Sequence, residues 1–295
     1  MSHRIPVTVL GATGVVGQRF VRRLADHPWF SIQHLAASEK SSGKRYSEAC
    51  EWRLSGLPYA GFGDQMLVPA EIGRAYSPVV FSALDADPAR TLEPRFAERG
   101  AWVFSNASAF RMEADVPLLV PEVNAEHIAL IETQRETRGW SGAIVCNPNC
   151  TATVLVMALA PLHAAFGVEA VLMTSMQAVS GAGYPGVPSL DILGNVVPYI
   201  RNEEEKLAEE TRKMLGTLSE GRIVDAGAAV SASCNRVAVI DGHTESISVR
   251  LRDNPSIETV RAAFAGWSAA PQRLGLPSAP ASPIVVHERP ERPQP

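Results

Sequence analysis

Short apolar runs alternate with helical patterns through the first half of the chain, and this alternation constrains the fold more than any other feature. The runs are IPVTVL (5–10), IQHLAA (32–37), VVFSAL (79–84), WVFSN (102–106) and AIVC (143–146). After the first run, Val16, Phe20 and Leu24 recur at the spacing of one helix face. Buried strands separated by helices predict an α/β fold, a Rossmann-like doubly wound parallel sheet with helices on both faces.

The pattern changes after residue 150. The runs 168–177, 236–242 and 244–251 are longer and often alternate apolar with polar residues, which favours antiparallel strands with one covered face. The stretches 203–215 and 256–267 read as helices, the second capped by Ser256. The sequence therefore predicts two domains, residues 1–149 around the parallel sheet and residues 150–295 as an α+β domain with a mostly antiparallel sheet.

Composition excludes several classes of protein. The net charge of −4 carries no long basic stripe, so we expect no nucleic-acid partner. The start resembles no signal peptide, and charged or helix-breaking residues interrupt the most apolar region, 154–176, so we expect no membrane partner. Four cysteines form neither a disulfide framework nor a metal-ligand spacing, which predicts a cytoplasmic protein without a metal.

The glycine loop GATGVVG (11–17) follows the first strand and opens the first helix. Such a loop lets the backbone approach a pyrophosphate at the helix N-terminus, although a tight structural turn is the alternative. The second strand leads into Ser38, Glu39 and a run of hydroxyls and lysines up to Lys44. These suit the 2′-phosphate of NADP(H), whereas Glu39 could hold the ribose of NAD and a solvated polar loop is also compatible.

Cys150 lies where the turn NPN meets a long apolar helix. Asn149 can cap that helix, and the helix N-terminus would favour a thiolate, although an apolar-flanked cysteine is more often a core residue. Gln177 ends a strand-like run before a glycine-rich loop, and Arg236 and His243 flank another. Each of these residues alone carries little functional signal. Cysteine, histidine and a dinucleotide loop together predict acyl-thioester redox chemistry at a cleft near the domain boundary.

Six motifs in order, GATGVVGQRF, SNASAFR, NPNCTAT, SMQAVSGAG, EEEK and RVAVIDGH, resemble the aspartate-β-semialdehyde dehydrogenase family, most closely its archaeal and fungal branch. The resemblance implies a nucleophile, an acid/base and an acyl-positioning group at Cys150, His243 and Gln177, in that order. It implies substrate binding by Arg111, Glu203, Lys206 and Arg236. It implies NADP(H) binding by Gly11, Thr13, Gly14, Val15, Val16, Gly17, Ser38, Ser41, Ser82, Ser180, Gly181 and Gly183.

Within that set, the resemblance implies that Arg236 binds the α-carboxylate of the substrate and that Glu203 binds its amino group. It implies that Arg111 and Lys206 bind the phosphate. The register of the glutamate stays open because Glu204 and Glu205 follow directly. Without the resemblance, EEEK would read as a solvated helix start and the arginines as surface residues. The implied reaction is NADPH-dependent reduction of L-4-aspartyl phosphate in amino-acid biosynthesis, by a homodimer or homotetramer.

Two alternatives stay open at the level of sequence. One is a related enzyme with the same thioester chemistry on another acyl donor, such as a malonyl-CoA reductase, which needs no partner for an amino group. The other is a shortened, non-catalytic paralogue. It arises because family members usually continue beyond a segment such as ERPQP with a strand and a closing helix, whereas this chain ends at Pro295.

Overall fold

The computed structural model describes residues 4–295, and the chain divides into two compact units. The first unit runs to Pro117 and includes 128–147, and the second comprises 118–127 and 148–295. These units differ from the predicted domain ranges at 118–127 and 148–149. The assignment of the two domains to cofactor binding and to catalysis with dimerisation stays a prediction.

The strands alternate with helices along the first half, as the periodicity predicts. The strands are β1 (Ile5–Leu10), β2 (Phe30–Ala37), β3 (Val68–Pro69), β4 (Val79–Ser82), β5 (Trp102–Ser105), β6 (Ala143–Cys146), β7 (Val168–Gln177), β8 (Thr217–Ser219), β9 (Arg222–Val224), β10 (Ala229–Arg236) and β11 (Thr244–Leu251). The helices are α1 (Val15–Leu24), α2 (Tyr46–Ala49), α3 (Ile72–Ala75), α4 (Ala86–Glu98), α5 (Pro121–Asn124), α6 (Leu130–Arg138), α7 (Cys150–Phe166), α8 (Ser189–Ile192), α9 (Glu203–Met214), α10 (Ile257–Ala265) and α11 (Ala270–Arg273). Short 3₁₀ turns cover Pro58–Gly61, Ser108–Phe110, Ala125–Ala129 and Val179–Ala182.

The first unit is built on a six-stranded parallel sheet in the order β3-β2-β1-β4-β5-β6. This order reverses direction beside β1, which is the arrangement of a dinucleotide-binding sheet. The predicted parallel sheet is therefore confirmed. The two-residue β3 was not predicted, because so short a strand carries no periodicity.

The core of the first unit lies between β1, β2 and α1. Val9 and Leu35 on the strands and Val21 on the helix are fully buried. Tyr46 is also fully buried, and its hydroxyl donates to the carbonyl of Ala12 at 2.8 Å, which satisfies the only polar atom of the ring. This packing fixes the end of β1 against the start of α1, where the glycine loop lies.

A buried carboxyl lies beside the last residues of the neighbouring strands β4 and β5. Glu93 on α4 is fully buried, and the hydroxyl of Ser105 donates to its Oε1 at 2.7 Å. Burial raises the pKa of this carboxyl above the usual range, so the folded protein holds the proton more tightly than the unfolded chain does.

Replacing Glu93 with glutamine is expected to stabilise the protein increasingly as the pH rises. A folded-state pKa above the unfolded value gives stability that is present below the unfolded pKa and lost as pH rises through the folded pKa. Glutamine is always neutral and escapes this loss. The Tm of the parent should therefore fall relative to Glu93→Gln as the pH rises above the pKa that the carboxyl has in the unfolded chain. The exposed Glu98→Gln on the same helix is the control; identical pH slopes for all three proteins would contradict the expectation.

The second unit contains a three-stranded sheet in the order β10-β7-β11 and the two-stranded hairpin β8-β9. β7 pairs parallel with β10 and antiparallel with β11, so the sheet is mixed. Residues along β7 alternate between buried and exposed, as expected for a strand with one covered face. The predicted strand at 236–242 is wrong, because β10 ends at Arg236 and the following residues leave the sheet.

The segment 237–243 instead forms a loop against the glycine-rich loop that follows β7. The carbonyls of Val239 and Ile240 accept hydrogen bonds from the N–H groups of Val179 and Ser180. Gly242 at φ +91° then turns the chain. Backbone pairing between two loops thus satisfies the polar groups that a strand would have paired in a sheet.

The cysteine helix α7 lies at the centre of the second unit. It is apolar on most sides, and it packs against α9, α10, β7 and β11. A helix that is hydrophobic all round is stable in water only when neighbouring elements cover it. In residues 4–295, no helix has both the length and the apolarity needed to cross a bilayer.

Candidate active site

Cys150 is the first residue of α7, and Asn149 caps the helix as predicted. The Oδ1 atom of Asn149 accepts hydrogen bonds from the N–H groups of Thr151 at 2.8 Å and Ala152 at 3.1 Å. These are two of the four N–H groups that a helix start leaves without a partner. The cap contributes about 1 kcal/mol to stability and fixes the point at which the cysteine enters the helix.

His243 reaches Cys150 from the loop between β10 and β11. Its Nε2 lies 3.2 Å from the sulfur, although the two residues are 93 positions apart. The N–H of Ala178 donates to Nδ1 at 3.2 Å. A neutral ring that accepts a hydrogen bond at Nδ1 carries its proton on Nε2, so the ring donates towards the sulfur. The structure therefore brings the predicted cysteine and histidine into hydrogen-bond contact.

A buried carboxylate links the other predicted residues to the same place. Oε1 of Glu203 accepts hydrogen bonds from Asn149 Nδ2 at 2.9 Å, Thr151 Oγ1 at 3.1 Å and Gln177 Nε2 at 3.4 Å. Gln177 ends β7 and is almost fully buried, and its Nε2 also donates to Ser175 Oγ at 3.1 Å. Glutamate and glutamine thus form one polar network beside the start of α7.

The structure also separates the three consecutive glutamates of EEEK. Glu203 is buried beside α7, Glu204 accepts the backbone N–H of Cys234 at 3.0 Å, and Glu205 is exposed. The geometry therefore favours Glu203 as the glutamate of the site. Lys206 follows three residues later and is half-buried, so it lies on the same side of α9 as Glu203.

Two features of the site act against the predicted thiolate form of Cys150. Although Cys150 is exposed as a residue, desolvation of its sulfur by the surrounding protein raises the pKa of the thiol, and the Glu203 carboxylate raises that pKa further. Hydrogen bonds from Thr151 and the backbone act in the opposite direction but are outweighed. Two N–H groups of the first turn also donate to Asn149. Their engagement weakens the stabilisation that the helix terminus could give to a thiolate.

Burial also lowers the pKa of His243, and the neighbouring Arg236 guanidinium adds to this effect. The neutral imidazole is therefore the favoured form near pH 7. A neutral imidazole with its proton on Nε2 stabilises a thiolate, or an oxyanion at the same place, by donating a hydrogen bond. The pair is accordingly placed for stabilisation of a thiolate and of an oxyanion, without a resting ion pair.

Arg236 lies between the cysteine–histidine pair and the glycine-rich loop that follows β7. It is buried at the end of β10, and its Nη1 donates to the carbonyl of Ala178 at 2.7 Å. A Cβ at Gly181 would lie 3.0 Å from that Nη1 and 3.4 Å from Cε1 of His243. Glycine at 181 therefore lets the loop pass close to both catalytic-site side chains. Ser180 and Gly183 are exposed in the same loop, and their predicted cofactor contacts stay predictions.

The predicted phosphate ligand Arg111 belongs to the first unit. It is half-buried, and its Nη2 donates to the carbonyl of Asn106 at 2.8 Å. Asn106 in turn accepts a hydrogen bond from Asn147 through its side-chain oxygen. Within that unit, the SNASAFR loop is thus tied to the end of β6, and the role of Arg111 stays a prediction.

The glycine loop of the first unit turns tightly against neighbouring backbone. Gly11 has φ +70°, and a Cβ there would lie 2.6 Å from the carbonyl oxygen of Ala83. A Cβ at Gly17 would lie 2.2 Å from the oxygen of Gly11, so α1 packs directly on the turn. Among residues 4–295, no side chain caps α1 at Gly14 and its first turn carries no acid. An uncapped helix start fits an anionic ligand.

The remaining predicted cofactor residues differ in their exposure. Thr13, Val15 and Val16 lie at the start of α1 with partly or fully exposed side chains, and Ser38 and Ser41 lie after β2 in the same state. Ser82 at the end of β4 is fully buried, so its side chain does not face solvent. These positions are compatible with a nucleotide along the loop ends of β1, β2 and β4, and the contacts themselves stay predictions.

Three groups of the site were absent from the sequence-based prediction. They are the hydroxyl of Thr151, the backbone N–H of Ala178 and the carboxylate of Glu210, which accepts the N–H of Asn149 at 2.6 Å. Glu210 follows Glu203 by seven residues, and this spacing on one helix face was the available signal. No local pattern marks the other two, because their roles arise from contacts distant in sequence.

Comparison with known proteins gives a consistent result. A family model described as "Semialdehyde dehydrogenase, NAD binding domain" matches residues 6–131, and "Semialdehyde dehydrogenase, dimerisation domain" matches residues 159–295. The aspartate-semialdehyde dehydrogenase of Archaeoglobus fulgidus is 52% identical over 292 residues, which cover 99% of this chain and 84% of that protein. The Saccharomyces cerevisiae enzyme is 43% identical over 304 residues, covering 97% of this chain and 83% of that protein.

Solved structures that resemble this one are also described as aspartate-semialdehyde dehydrogenases. The crystal structure of the Candida albicans aspartate-semialdehyde dehydrogenase with NADP superposes with a TM-score of 0.91 at 43% identity, covering 99% of this chain and 85% of that one. Aspartate-semialdehyde dehydrogenase II of Vibrio cholerae, complexed with ASA, gives a TM-score of 0.69 at 27% identity, covering 90% and 80%. With the cysteine–histidine pair in place, these similarities show that the chain belongs to the aspartate-semialdehyde dehydrogenase family.

Proposed function

We propose that the protein reduces L-4-aspartyl phosphate to L-aspartate 4-semialdehyde and phosphate with NADPH, reversibly and through a thioester on Cys150. The observation that carries the proposal is the 3.2 Å contact between the sulfur of Cys150 and Nε2 of His243 at the start of α7. The archaeal and fungal relatives named as aspartate-semialdehyde dehydrogenases support the substrate. A shared active-site geometry alone would leave the acyl donor open.

The nucleophile of the proposed reaction is the fraction of Cys150 that is ionised. Because the pKa of the thiol is raised, this fraction is small at neutral pH, and the Nε2–H of His243 stabilises it. The sulfur attacks the acyl carbon, the carbon–oxygen bond to the phosphoryl group breaks, and phosphate leaves. Covalent capture divides one difficult displacement into two easier steps.

NADPH, when bound, supplies the hydride that reduces the thioester carbon. His243 then donates a hydrogen bond from Nε2–H to the oxygen that has become an alkoxide, which stabilises the developing charge. Collapse of this hemithioacetal alkoxide re-forms the carbon–oxygen double bond, breaks the carbon–sulfur bond and returns Cys150 as the thiolate. Gln177, held by Ser175 and Glu203, is placed to keep the acyl group oriented beside the sulfur.

Charged groups account for the remaining parts of the substrate. Arg236 presents a guanidinium, whose planar fork matches the two oxygens of an α-carboxylate. Glu203 presents a carboxylate, which suits an ammonium group. We assign the phosphate to Arg111 and Lys206, the cations of SNASAFR and EEEK. A substrate without an amino group, such as malonyl-CoA, would leave the charge of Glu203 without its ligand.

We assign the cofactor as NADP(H). Gly11, Gly14 and Gly17 would hold the pyrophosphate at the uncapped start of α1, and the hydroxyls of Ser38 and Ser41 would meet the 2′-phosphate. The match to an NAD-binding domain model supports a dinucleotide, and the Candida albicans relative is described with NADP.

The proposal includes a homo-oligomer in the cytoplasm. The match of residues 159–295 to a dimerisation domain supports association of like chains, and we propose a homodimer or a homotetramer. All four cysteines are free thiols, which is usual in a reducing compartment.

The test is reduction of NADP by the purified chain with L-aspartate semialdehyde in the presence of phosphate. We expect turnover that requires phosphate, because phosphate must cleave the thioester in this direction. Matched reactions replace phosphate with CoA and L-aspartate semialdehyde with malonate semialdehyde. Turnover with the second pair and none with the first would refute the proposed substrate while leaving the thioester chemistry intact.

A further inference from the structure

Two carboxylates of α9 hold the residue that begins the cysteine helix. The backbone N–H of Asn149 donates to Oε2 of Glu210 at 2.6 Å, and Asn149 Nδ2 donates to Oε1 of Glu203 at 2.9 Å. Seven residues, or about two turns, separate the glutamates, so both lie on one face of α9. One helix therefore holds both the backbone and the side chain of Asn149.

The contact of Glu210 with the backbone is strong. Only 2% of Glu210 is exposed, and a buried carboxylate is costly unless it accepts hydrogen bonds. The N–H group lies 2.6 Å from the carboxylate oxygen, and hydrogen bonds to an ionised acceptor are about twice as strong as those between neutral groups. The negative charge also lies at the N-terminus of α7, where the helix dipole favours an anion.

The orientation of Asn149 determines where the sulfur of Cys150 lies. Because Nδ2 of Asn149 is engaged by Glu203, its Oδ1 faces the N–H groups of Thr151 and Ala152. Cys150 follows directly in the chain, and its sulfur meets Nε2 of His243 at 3.2 Å. A small rotation of the backbone at residue 149 would lengthen that contact beyond hydrogen-bond distance.

We propose that Glu210 is a positioning residue, which holds the backbone of Asn149 so that the sulfur of Cys150 meets His243. It acts through Asn149 and is distinct from the substrate role assigned to Glu203. The kinetic consequences rest on the function proposed above, whereas the reactivity of the thiol does not.

Two substitutions separate the acceptor atom from the volume of the side chain. Glu210→Gln keeps an oxygen at the end of the chain that can accept the N–H of Asn149. Glu210→Met has a similar length but offers no comparable acceptor. The same two substitutions at the exposed neighbour Glu209 are the matched controls for charge and helix propensity.

In steady-state kinetics, Glu210→Met is expected to lower kcat by roughly 10- to 100-fold, the effect of a small misplacement of a reacting group. The KM values should change by less than about threefold, since the substrate-binding charges are unaltered. Glu210→Gln should restore most of kcat, and both Glu209 variants should match the parent. Equal losses in Glu210→Gln and Glu210→Met would overturn the proposal.

Alkylation of Cys150 by iodoacetamide, followed by mass spectrometry, tests the alignment without any substrate. His243→Ala should slow alkylation in the parent, but it should have little further effect in Glu210→Met, where the contact is already lost. Additive effects would show a merely structural role and would refute positioning. All rates are measured below the Tm of each variant. If Glu210→Met does not fold, Glu210→Asp, with its carboxylate one methylene short, replaces it.

The two experiments distinguish failure of this inference from failure of the proposed reaction. Coupling in the alkylation cycle without turnover on aspartate semialdehyde would reject the reaction and retain the positioning role. Turnover on aspartate semialdehyde with purely additive alkylation effects would do the reverse.

Discussion

Replacing Cys150 with serine is expected to lower kcat for phosphate-dependent NADP reduction by about 10⁴-fold or more. A serine hydroxyl ionises far less readily than a thiol, and its acyl product is an ester that reacts more slowly than a thioester. Gln177, Arg236 and Glu203 keep their places, because one atom of similar size changes at the start of α7. Stopped-flow measurement of NADPH formation should show a first turnover in the parent and none in the variant.

The control for this result is Cys234→Ser, since Cys234 is a free thiol in the same unit that is buried in β10. Cys234→Ser should retain activity, and any loss of activity should be matched by a lower Tm. The Tm of Cys150→Ser should stay close to that of the parent. Activity in Cys150→Ser above about 1% of the parent would reject the covalent mechanism.

Replacing His243 with alanine is expected to lower kcat/KM by roughly 10²- to 10³-fold, the usual effect of removing a hydrogen-bond donor to a developing oxyanion. The variant loses the Nε2–H group that stabilises both the thiolate and the alkoxide. Because burial and Glu203 already raise the pKa of Cys150, loss of this hydrogen bond should raise it further.

The pH dependence provides a separate measurement of the same substitution. A raised thiol pKa means that the thiolate, and with it the rate of alkylation, increases with pH through the neutral and alkaline range. We expect the whole profile of His243→Ala to lie at higher pH than that of the parent. His287→Ala, which alters an exposed histidine, should leave the profile unchanged. A profile for His243→Ala that coincides with the parent would show that the ring does not stabilise the thiolate.

Much of the fold was predictable from local patterns. The strands β1 and β6 and the caps at Asn149 and Ser256 were assigned to the correct residues, and the helix α9 was assigned to within one residue of its end. Each depends on periodicity or on a capping side chain within a few positions. The same holds for the glycine loop, whose close contacts involve the turn and its own helix.

The errors arise where the partner of a segment is distant in the chain. The run RVAVIDG resembles a strand, but after Arg236 its backbone pairs with the loop at 179–180. The direction of β10 against β7 likewise depends on how the intervening chain returns to the sheet. The alternation of apolar and polar residues indicates which residues are buried. It does not indicate which segment of the chain covers them.

The sequence by itself determined the strands β1 and β6, the cap of α7 and the residue types of a thioester dehydrogenase. Only the tertiary structure decided that Glu203 is the glutamate beside the cysteine, that Glu210 holds Asn149, and that the thiol of Cys150 has a raised pKa. The physical reason is that hydrogen bonds and helix caps within a few residues are local properties. Burial and the field of a carboxylate more than 50 residues away exist only after α7 and α9 have packed together.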